Sequence, residues 1–382
     1  MKAIINGTII DNREYLTGYH LLFDENIISL SQEDLPDQCE IIDAKGSYVS
    51  AGFVDMHIHG SGGADVMDAT PQALETISRT LLQTGTTSFI ATTMTMSQED
   101  INKALDVIIE YGDRVSGAKI EGIHLEGPFI NPLKCGAQDP KYIQEARFEW
   151  IEPYLPHIRV ITIAPEMQGA EDFIKKIGEI SPHTLLSIGH SDANYEISMQ
   201  SFEWGISHAT HLFNAMPPWH HREPGVIGAL FESDVTADII ADLIHTHPAT
   251  LHSVEKIKKD QLILITDAMR AGCLKSGCYD LGGQSVRVED GRAALENGVL
   301  AGSVLKLNDA VKNFYNHTEA TLIEAITAVT SLPAKRLGLP IGELREGYCA
   351  DIVIFDADIS IEKVYLNGDL AYELDATSNI SS

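Results

Sequence analysis

The sequence is poor in basic residues and in cysteine, and it has no long apolar run. Lysine and arginine number 27 against 55 acidic residues, for a formal net charge of −28. Binders of nucleic acid or of membrane surfaces need a basic face, so this balance argues against both. The five cysteines, Cys39, Cys135, Cys273, Cys278 and Cys349, are odd in number, scattered and free of any CxxC pair. They read as reduced thiols of a cytoplasmic protein, which excludes a disulfide framework or a zinc ribbon. No apolar stretch approaches the ~20 residues that cross a bilayer. Met1 to Asn6 is short, weakly charged and strand-like, so no signal peptide is expected. Short-period repeats and low-complexity tracts are also missing, and Ala376 to Ser382, small and polar, are expected to fray.

What is present fits a barrel of roughly 250 residues plus a smaller module. Eight apolar β-type runs punctuate the middle of the chain: Phe53–His59, Thr87–Thr92, Lys119–Leu125, Ile158–Ala164, Thr184–Gly189, His208–Leu212, Ala237–Ile244 and Leu262–Thr266. Amphipathic stretches lie between several of them, such as Leu74, Ile77 and Leu81 after Pro71. Continuous apolar strands separated by helices predict a parallel sheet buried on both faces, and eight such units predict closure into a barrel. The two ends of the chain are strand-rich, around Lys2–Ile5, Tyr19–Phe23, Ile27–Leu30, Ala350–Phe355 and Ile361–Leu366. The expected division is residues 53–344 as the barrel, with 1–52 and 345–382 as two parts of one small β module.

Gly52-Phe53-Val54-Asp55-Met56-His57-Ile58-His59-Gly60 carries the strongest local signal. Side chains at i and i+2 of a strand share a face, so His57 and His59 stand about 6–7 Å apart and can converge on one metal. Asp55 shares that face, as an acceptor for a ring N–H or as a strand-end turn residue. Other strand ends supply His124-Leu125-Glu126, Gly189-His190-Ser191, His208-Ala209-Thr210-His211 and Thr266-Asp267-Ala268. The C-terminal ends of barrel strands converge on one pocket, and burying so many polar groups is costly unless a metal or partners compensate. His57, His59, Glu126, His190 and His211 are therefore the candidate ligands, in a mixture that suits Zn²⁺ or Fe²⁺. Two metals bridged by Glu126 and one metal with an underused pair both remain open. His124 and His208 read as supporting or substrate groups. Asp267 is the carboxylate left over, either an acid/base that moves a proton from metal-activated water to a leaving amine, or a ligand or helix cap.

Asn214-Ala215-Met216 and His220-His221-Arg222-Glu223-Pro224-Gly225 follow the sixth run. Arg222 offers a fork that fits a phosphate, against the plainer reading of a solvated loop. His245 and His247 are expected to face the pocket by the same alternation. Leu300-Ala301-Gly302-Ser303 offers close backbone approach through its glycine, or is an ordinary turn.

With these motifs the chain resembles the N-acetylglucosamine-6-phosphate deacetylases of the amidohydrolase superfamily. The resemblance covers nearly the whole length, through Ala51-Gly52-Phe53-Val54-Asp55, His124-Leu125-Glu126-Gly127-Pro128-Phe129, Gly189-His190-Ser191, Thr210-His211-Leu212-Phe213-Asn214-Ala215-Met216, Arg222-Glu223-Pro224-Gly225, Ile265-Thr266-Asp267-Ala268-Met269 and Leu300-Ala301-Gly302-Ser303. Gly347, Ala350, Asp351, Ile352 and Val353 match a trait of the superfamily's terminal β module. The resemblance implies an α/β fold, a (β/α)₈ TIM-type barrel with a small β-sandwich formed by both chain termini. It implies hydrolysis of N-acetyl-D-glucosamine 6-phosphate to D-glucosamine 6-phosphate and acetate, in amino-sugar catabolism, with one or two divalent metals (Zn or Fe) per subunit. Glu126, His190 and His211 match the shared ligands, His57 and His59 match members with a second metal, and Asp267 matches the catalytic acid/base. Ala137, Gln138, Asn214, Ala215, His221, Arg222, His245, Leu300, Ala301 and Gly302 match substrate positions. A homodimer is implied, with Arg222 reaching the neighbouring pocket.

Two departures stand out. Gln138 occupies a position where many members have histidine, and altered contacts are expected there. The family commonly reads Asp-Gly before the apolar residue preceding His245, whereas Leu243 follows Asp242 here. A bulky side chain at that point is expected to reshape the sugar pocket, which keeps an N-acetylgalactosamine-6-phosphate deacetylase as the near alternative. Another amidohydrolase, such as a cyclic-amide hydrolase, and a noncatalytic sugar-phosphate sensor are more remote.

Overall fold

The computed structural model describes residues 1–11 and 14–375, so the expected fraying of 376–382 lies outside the described residues. Its centre is an eight-stranded parallel sheet in strict chain order, rolled into a nearly closed TIM barrel. The barrel strands are β1 (Phe53–Ile58), β2 (Thr86–Thr92), β3 (Lys119–Glu126), β4 (Ile158–Ile163), β5 (Leu185–Ile188), β6 (His208–Ala209), β7 (Thr236–Ile240) and β8 (Leu262–Ile265). All eight fall on the apolar runs, though not all with the same ends, because strands covered on both faces need no polar alternation.

The seam between β8 and β1 is stitched rather than laddered. At the C-terminal end of the strands, Asp267 N–H donates to the His57 carbonyl and His59 N–H to that of Ala268, both at 2.9 Å. At the opposite end the backbone of Ala328 and Val329 fills the gap, accepting from Leu264 N–H at 3.1 Å and Val54 N–H at 2.7 Å. Asp55 completes the seam, accepting from the Thr266 hydroxyl at 2.6 Å and the Thr266 amide at 3.3 Å. Of its two readings from sequence, neither holds: it bridges strands instead of orienting an imidazole. Burial raises its carboxyl to about 7, with the Thr266 bonds acting in the opposite direction.

Amphipathic helices cover the barrel. Pro71–Leu81 opens on a Thr70 cap with proline in its first turn, and Gln98–Tyr111 opens on a Ser97 cap. Both satisfy amides that a helix start leaves free. Helix Pro248–Lys258 ends on a buried lysine: Lys258 Nζ donates to the carbonyls of Leu230 at 2.8 Å, Ser233 at 3.0 Å and Val235 at 2.7 Å. This ties the end of helix Gly225–Glu232 to the start of β7.

Two runs extend too far in the sequence reading. The sixth stops at Ala209, and the seventh stops at Ile240, where Asp242 accepts the amides of Ile244 and His245 at 2.8 and 2.7 Å and turns the chain. An antiparallel sheet of Gly277–Leu281, Gln284–Glu289 and Arg292–Leu295 was not anticipated. It leans over the barrel mouth, with Gln284 bonded to the Ala137 carbonyl and Arg270 bridging Asp68 at 2.9 Å and the Asp280 carbonyl at 2.7 Å.

Both chain ends meet in one further sheet, in the order Asp369–Glu373, Ile361–Leu366, Ile352–Phe355, Tyr48–Ala51, Thr8–Ile10 and Tyr15–Thr17. A four-stranded sheet (Ile27–Ser31, His20–Phe23, Lys2–Ile5, Glu40–Asp43) shares an apolar cluster with it, including Ile4, Leu21, Phe23, Val49, Ile352 and Ile354.

Candidate active site

Glu126, the last residue of β3, is the hub. Its Oε1 lies 3.0 Å from His211 Nε2 and 3.1 Å from His190 Nε2. Its Oε2 lies 3.3 Å from His59 Nε2, while His57 Nε2 stands 3.6 Å from Oε1. Two donor groups therefore share this carboxylate, His57/His59/Glu126 and Glu126/His190/His211, each with its atoms within 4.8 Å of one another. All five residues are buried.

Chemistry favours a cation among them. His190 and His211 face each other Nε2 to Nε2 at 3.0 Å, and His57 and His59 at 3.3 Å. A pair of imidazole lone pairs so placed repel unless a proton or a metal lies between. His190 Nδ1 donates to the Lys134 carbonyl at 2.8 Å, which leaves the Nε2 lone pair free to ligate a metal. Electrostatics agree. Burial pushes the Glu126 carboxyl up, but the imidazoles around it, His57 foremost, hold it well below the usual range. Burial also pulls His211 down, and the bond to Glu126 more than reverses this, to about 9.

Asp267 stands beside this set on the turn after β8. Its Oδ1 is 3.2 Å from His59 Nε2 and 3.4 Å from His57 Nε2. Gly302 passes close behind with φ +60°, a backbone that favours glycine, and a Cβ there would meet the Asp267 carbonyl tightly, at 3.1 Å. His190, His211 and Asp267 have φ of +48°, +34° and +47°. Left-handed backbone costs non-glycine residues about 1–2 kcal/mol each, a strain typical of functional sites.

A cavity of about 250 Å³ opens above the cluster. His59, Glu126, His190, His211 and Asp267 line it, as do Ala137, Gln138, Asn214, Ala215, His245, Leu300 and Gly302. His57 lies beneath, fully buried, its ring edge-on to His124 at 4.6 Å. Gln138 reaches the hub itself: Oε1 accepts from Thr95 N–H, and Nε2 donates to Glu126 Oε2, each at 2.8 Å. His245 Nδ1 bonds Asp242 Oδ2 at 2.6 Å, which leaves Nε2 for a ligand.

Other expected residues lie elsewhere. Ala301 is buried in an apolar cluster with Met94 and Met269. His247 is exposed and caps helix Pro248–Lys258, accepting from Ala249 N–H at 3.1 Å, so it does not face the pocket. His221 and Arg222 are exposed, 2.7 Å apart, on the loop outside this cavity. Arg222 borders a separate depression with Tyr195, Pro217 and Glu223. Leu243 packs against the main apolar cluster with φ +65° and is not among the residues lining the cavity, so it does not reshape the pocket directly. Met94, Leu281 and Val299 line the cavity and were missed, because ordinary apolar residues give no signal. Asp238 was missed as well. It bonds the His211 amide and His208 beneath the cluster, and its only trace was a carboxylate, one of two with Asp242, inside the otherwise apolar run Ala237–Ile244.

Residues 48–377 match the model of the amidohydrolase family. The chain belongs to that family, whose members are metal-dependent hydrolases. An N-acetylglucosamine-6-phosphate deacetylase of Bacillus subtilis is 37% identical over 378 residues, 95% of each chain. The N-acetylgalactosamine-6-phosphate deacetylase of Escherichia coli O157:H7 is 30% identical over 371 residues, covering 95% of this chain and 97% of that one. The crystal structure of N-acetylglucosamine-6-phosphate deacetylase from Pasteurella multocida superposes with a TM-score of 0.92 at 31% identity, over 97% of this chain and 99% of that one.

Proposed function

We propose that the protein hydrolyses the acetamide of N-acetyl-D-glucosamine 6-phosphate, releasing acetate and D-glucosamine 6-phosphate. The observation that carries this reading is Asp267 Oδ1, 3.2 Å from His59 Nε2 at the edge of the Glu126-centred donor set, inside a cavity of about 250 Å³. His57, His59, Glu126, His190 and His211 would hold one or two divalent cations, Zn²⁺ or Fe²⁺. Such a cation supplies Lewis acidity, polarising the amide carbonyl and lowering the pKa of water toward ~7. Asp267 takes the proton from water as the new C–O bond forms. It returns that proton to nitrogen as the C–N bond breaks, so the amine leaves neutral. His245, steadied by Asp242, and Gln138 orient the sugar and its acetamide, with Asn214, Ala215 and the Leu300–Gly302 backbone along the wall.

The 6-phosphate must be held against a net charge of −28. Arg222, exposed on the loop after β6 and outside this cavity, offers a guanidinium for that phosphate, and we read it as reaching the neighbouring cavity of a homodimer. We read residues 53–344 as the catalytic barrel and 1–52 with 345–382 as one small β-sandwich, in a cytoplasmic enzyme.

Acetate release measured on a panel of N-acetylated hexosamine 6-phosphates, with metal analysis of the same sample, tests the reading. Release from the gluco epimer supports it. Release from the galacto epimer alone moves the substrate assignment, and no release from any member overturns the function.

A further inference from the structure

β6 is two residues long, and the chain after it alternates into left-handed backbone at His211, Phe213 and Ala215, with φ of +34°, +77° and +52°. Something other than a sheet ladder must hold His211 there. Thr210 N–H still bonds the Ile188 carbonyl of β5 at 2.9 Å. The next two amides turn to one residue of β7. His211 N–H donates to Asp238 Oδ1, and Leu212 N–H donates to the Asp238 backbone carbonyl at 2.9 Å. These amides belong to the peptide planes on either side of the His211 Cα. With both planes pinned, φ and ψ are fixed, and with them the direction in which the Cα–Cβ bond launches the imidazole.

Asp238 is itself held. Its Oδ2 accepts from His208 Nε2 at 3.2 Å, and His208 Nδ1 meets the Thr236 hydroxyl at 2.8 Å. His208 is 0% exposed and Asp238 1%. Neither residue lines the cavity. A carboxylate so deeply buried needs every acceptor site occupied, and here both oxygens are used, one on the partner histidine and one on the ligand loop.

We propose that Asp238, oriented by His208, is a positioning residue that sets His211 as a metal ligand. The inference rests on the reading of His211 as a ligand and adds the device that aims it. Orientation through the backbone replaces the usual outer partner on the ligand's own ring: His211 Nδ1 is buried with no hydrogen-bond partner among the described residues.

The test compares Co²⁺ binding by the wild-type protein, by Asp238→Asn and by the double variant Asp238→Leu/His208→Phe. Asparagine is isosteric and keeps an acceptor for the His211 amide. The double variant removes the pair together and leaves no unpaired buried charge, so its cost is limited to the orphaned His211 N–H. Affinity is read by chelator competition and ligand geometry by the visible d–d spectrum. The Asn variant is expected to keep the wild-type spectrum and affinity. The double variant is expected to remain folded yet bind Co²⁺ about 10–100-fold more weakly, with an altered spectrum. A folded double variant with wild-type affinity and spectrum overturns the proposal. If the double variant does not fold, Asp238→Ser takes its place, and wild-type affinity and spectrum in that protein overturn the proposal equally. If the wild-type protein binds no Co²⁺, the functional reading fails instead, which separates the two.

Discussion

Asp267→Asn isolates proton transfer from everything else at the site. The backbone at Asp267 has φ +47°, a conformation that asparagine adopts more readily than most residues, so the substitution adds no strain. Its main-chain bonds, N–H to the His57 carbonyl at 2.9 Å and carbonyl from Ser303 N–H at 2.7 Å, do not involve the side chain. The five proposed metal ligands are untouched, and the amide fills the same volume. What disappears is one acceptor for a proton, placed 3.2 Å from His59 Nε2. Positioned acid–base groups contribute about 10²–10⁴-fold, or roughly 3–5.5 kcal/mol of barrier. The variant should therefore lose about 10²–10⁴-fold in kcat with little change in KM, because the group acts on the transition state and not on sugar binding. The assay is acetate release from N-acetyl-D-glucosamine 6-phosphate at saturating substrate, with bound metal quantified in the same preparation. A kcat within about tenfold of wild type at full metal content would refute the role of Asp267.

Leu243→Gly should leave the ratio of gluco to galacto kcat/KM within about threefold, because Leu243 packs into the core and not into the cavity; a larger swing shows that it acts on the sugar. Lys258→Met strips three carbonyls of their donor and should cost about 2–3 kcal/mol in urea unfolding, with kcat/KM unchanged; an unchanged midpoint would show those bonds to be inert. Chelation should abolish turnover and lower the thermal midpoint, and readding Zn²⁺ or Fe²⁺ should restore both, since a cation at 100 times its Kd adds about 2.7 kcal/mol. Retained activity in exhaustively chelated protein would count against the metal reading.

The barrel was legible because its strands are short, apolar and regularly spaced, a pattern that few other architectures produce. The boundaries that slipped share one cause. Leu212 and Ala241–Ile244 continue the apolar runs, but there the chain is already turning, at His211 through left-handed backbone and at 242–245 through the Asp242 carboxylate. Hydrophobic periodicity reports burial and not backbone handedness. The Gly277–Leu295 sheet went unread for a different reason. Its alternation is confined to segments of four to six residues with charged tips, and it packs on the barrel mouth instead of forming a core of its own.

The metal-type residues could be read from sequence because imidazoles and carboxylates at buried strand ends are expensive and have few explanations. Their supports could not, since an isolated Asp238 or Thr266 has many. Yet the supports decide how the site behaves. His190, His211 and Asp267 each carry the strain of a left-handed backbone, and each is held by bonds that owe nothing to a cation. The His190 carbonyl accepts from Asn131 N–H at 2.9 Å, Asp238 holds the amides of His211 and Leu212, and the seam with His57 holds Asp267. A cation entering such a site meets ligands whose directions are already set by the barrel. The cost of orienting them is met during folding, so less binding energy is lost when the metal arrives, and the same rigidity keeps Asp267 in register for the proton transfer proposed for it.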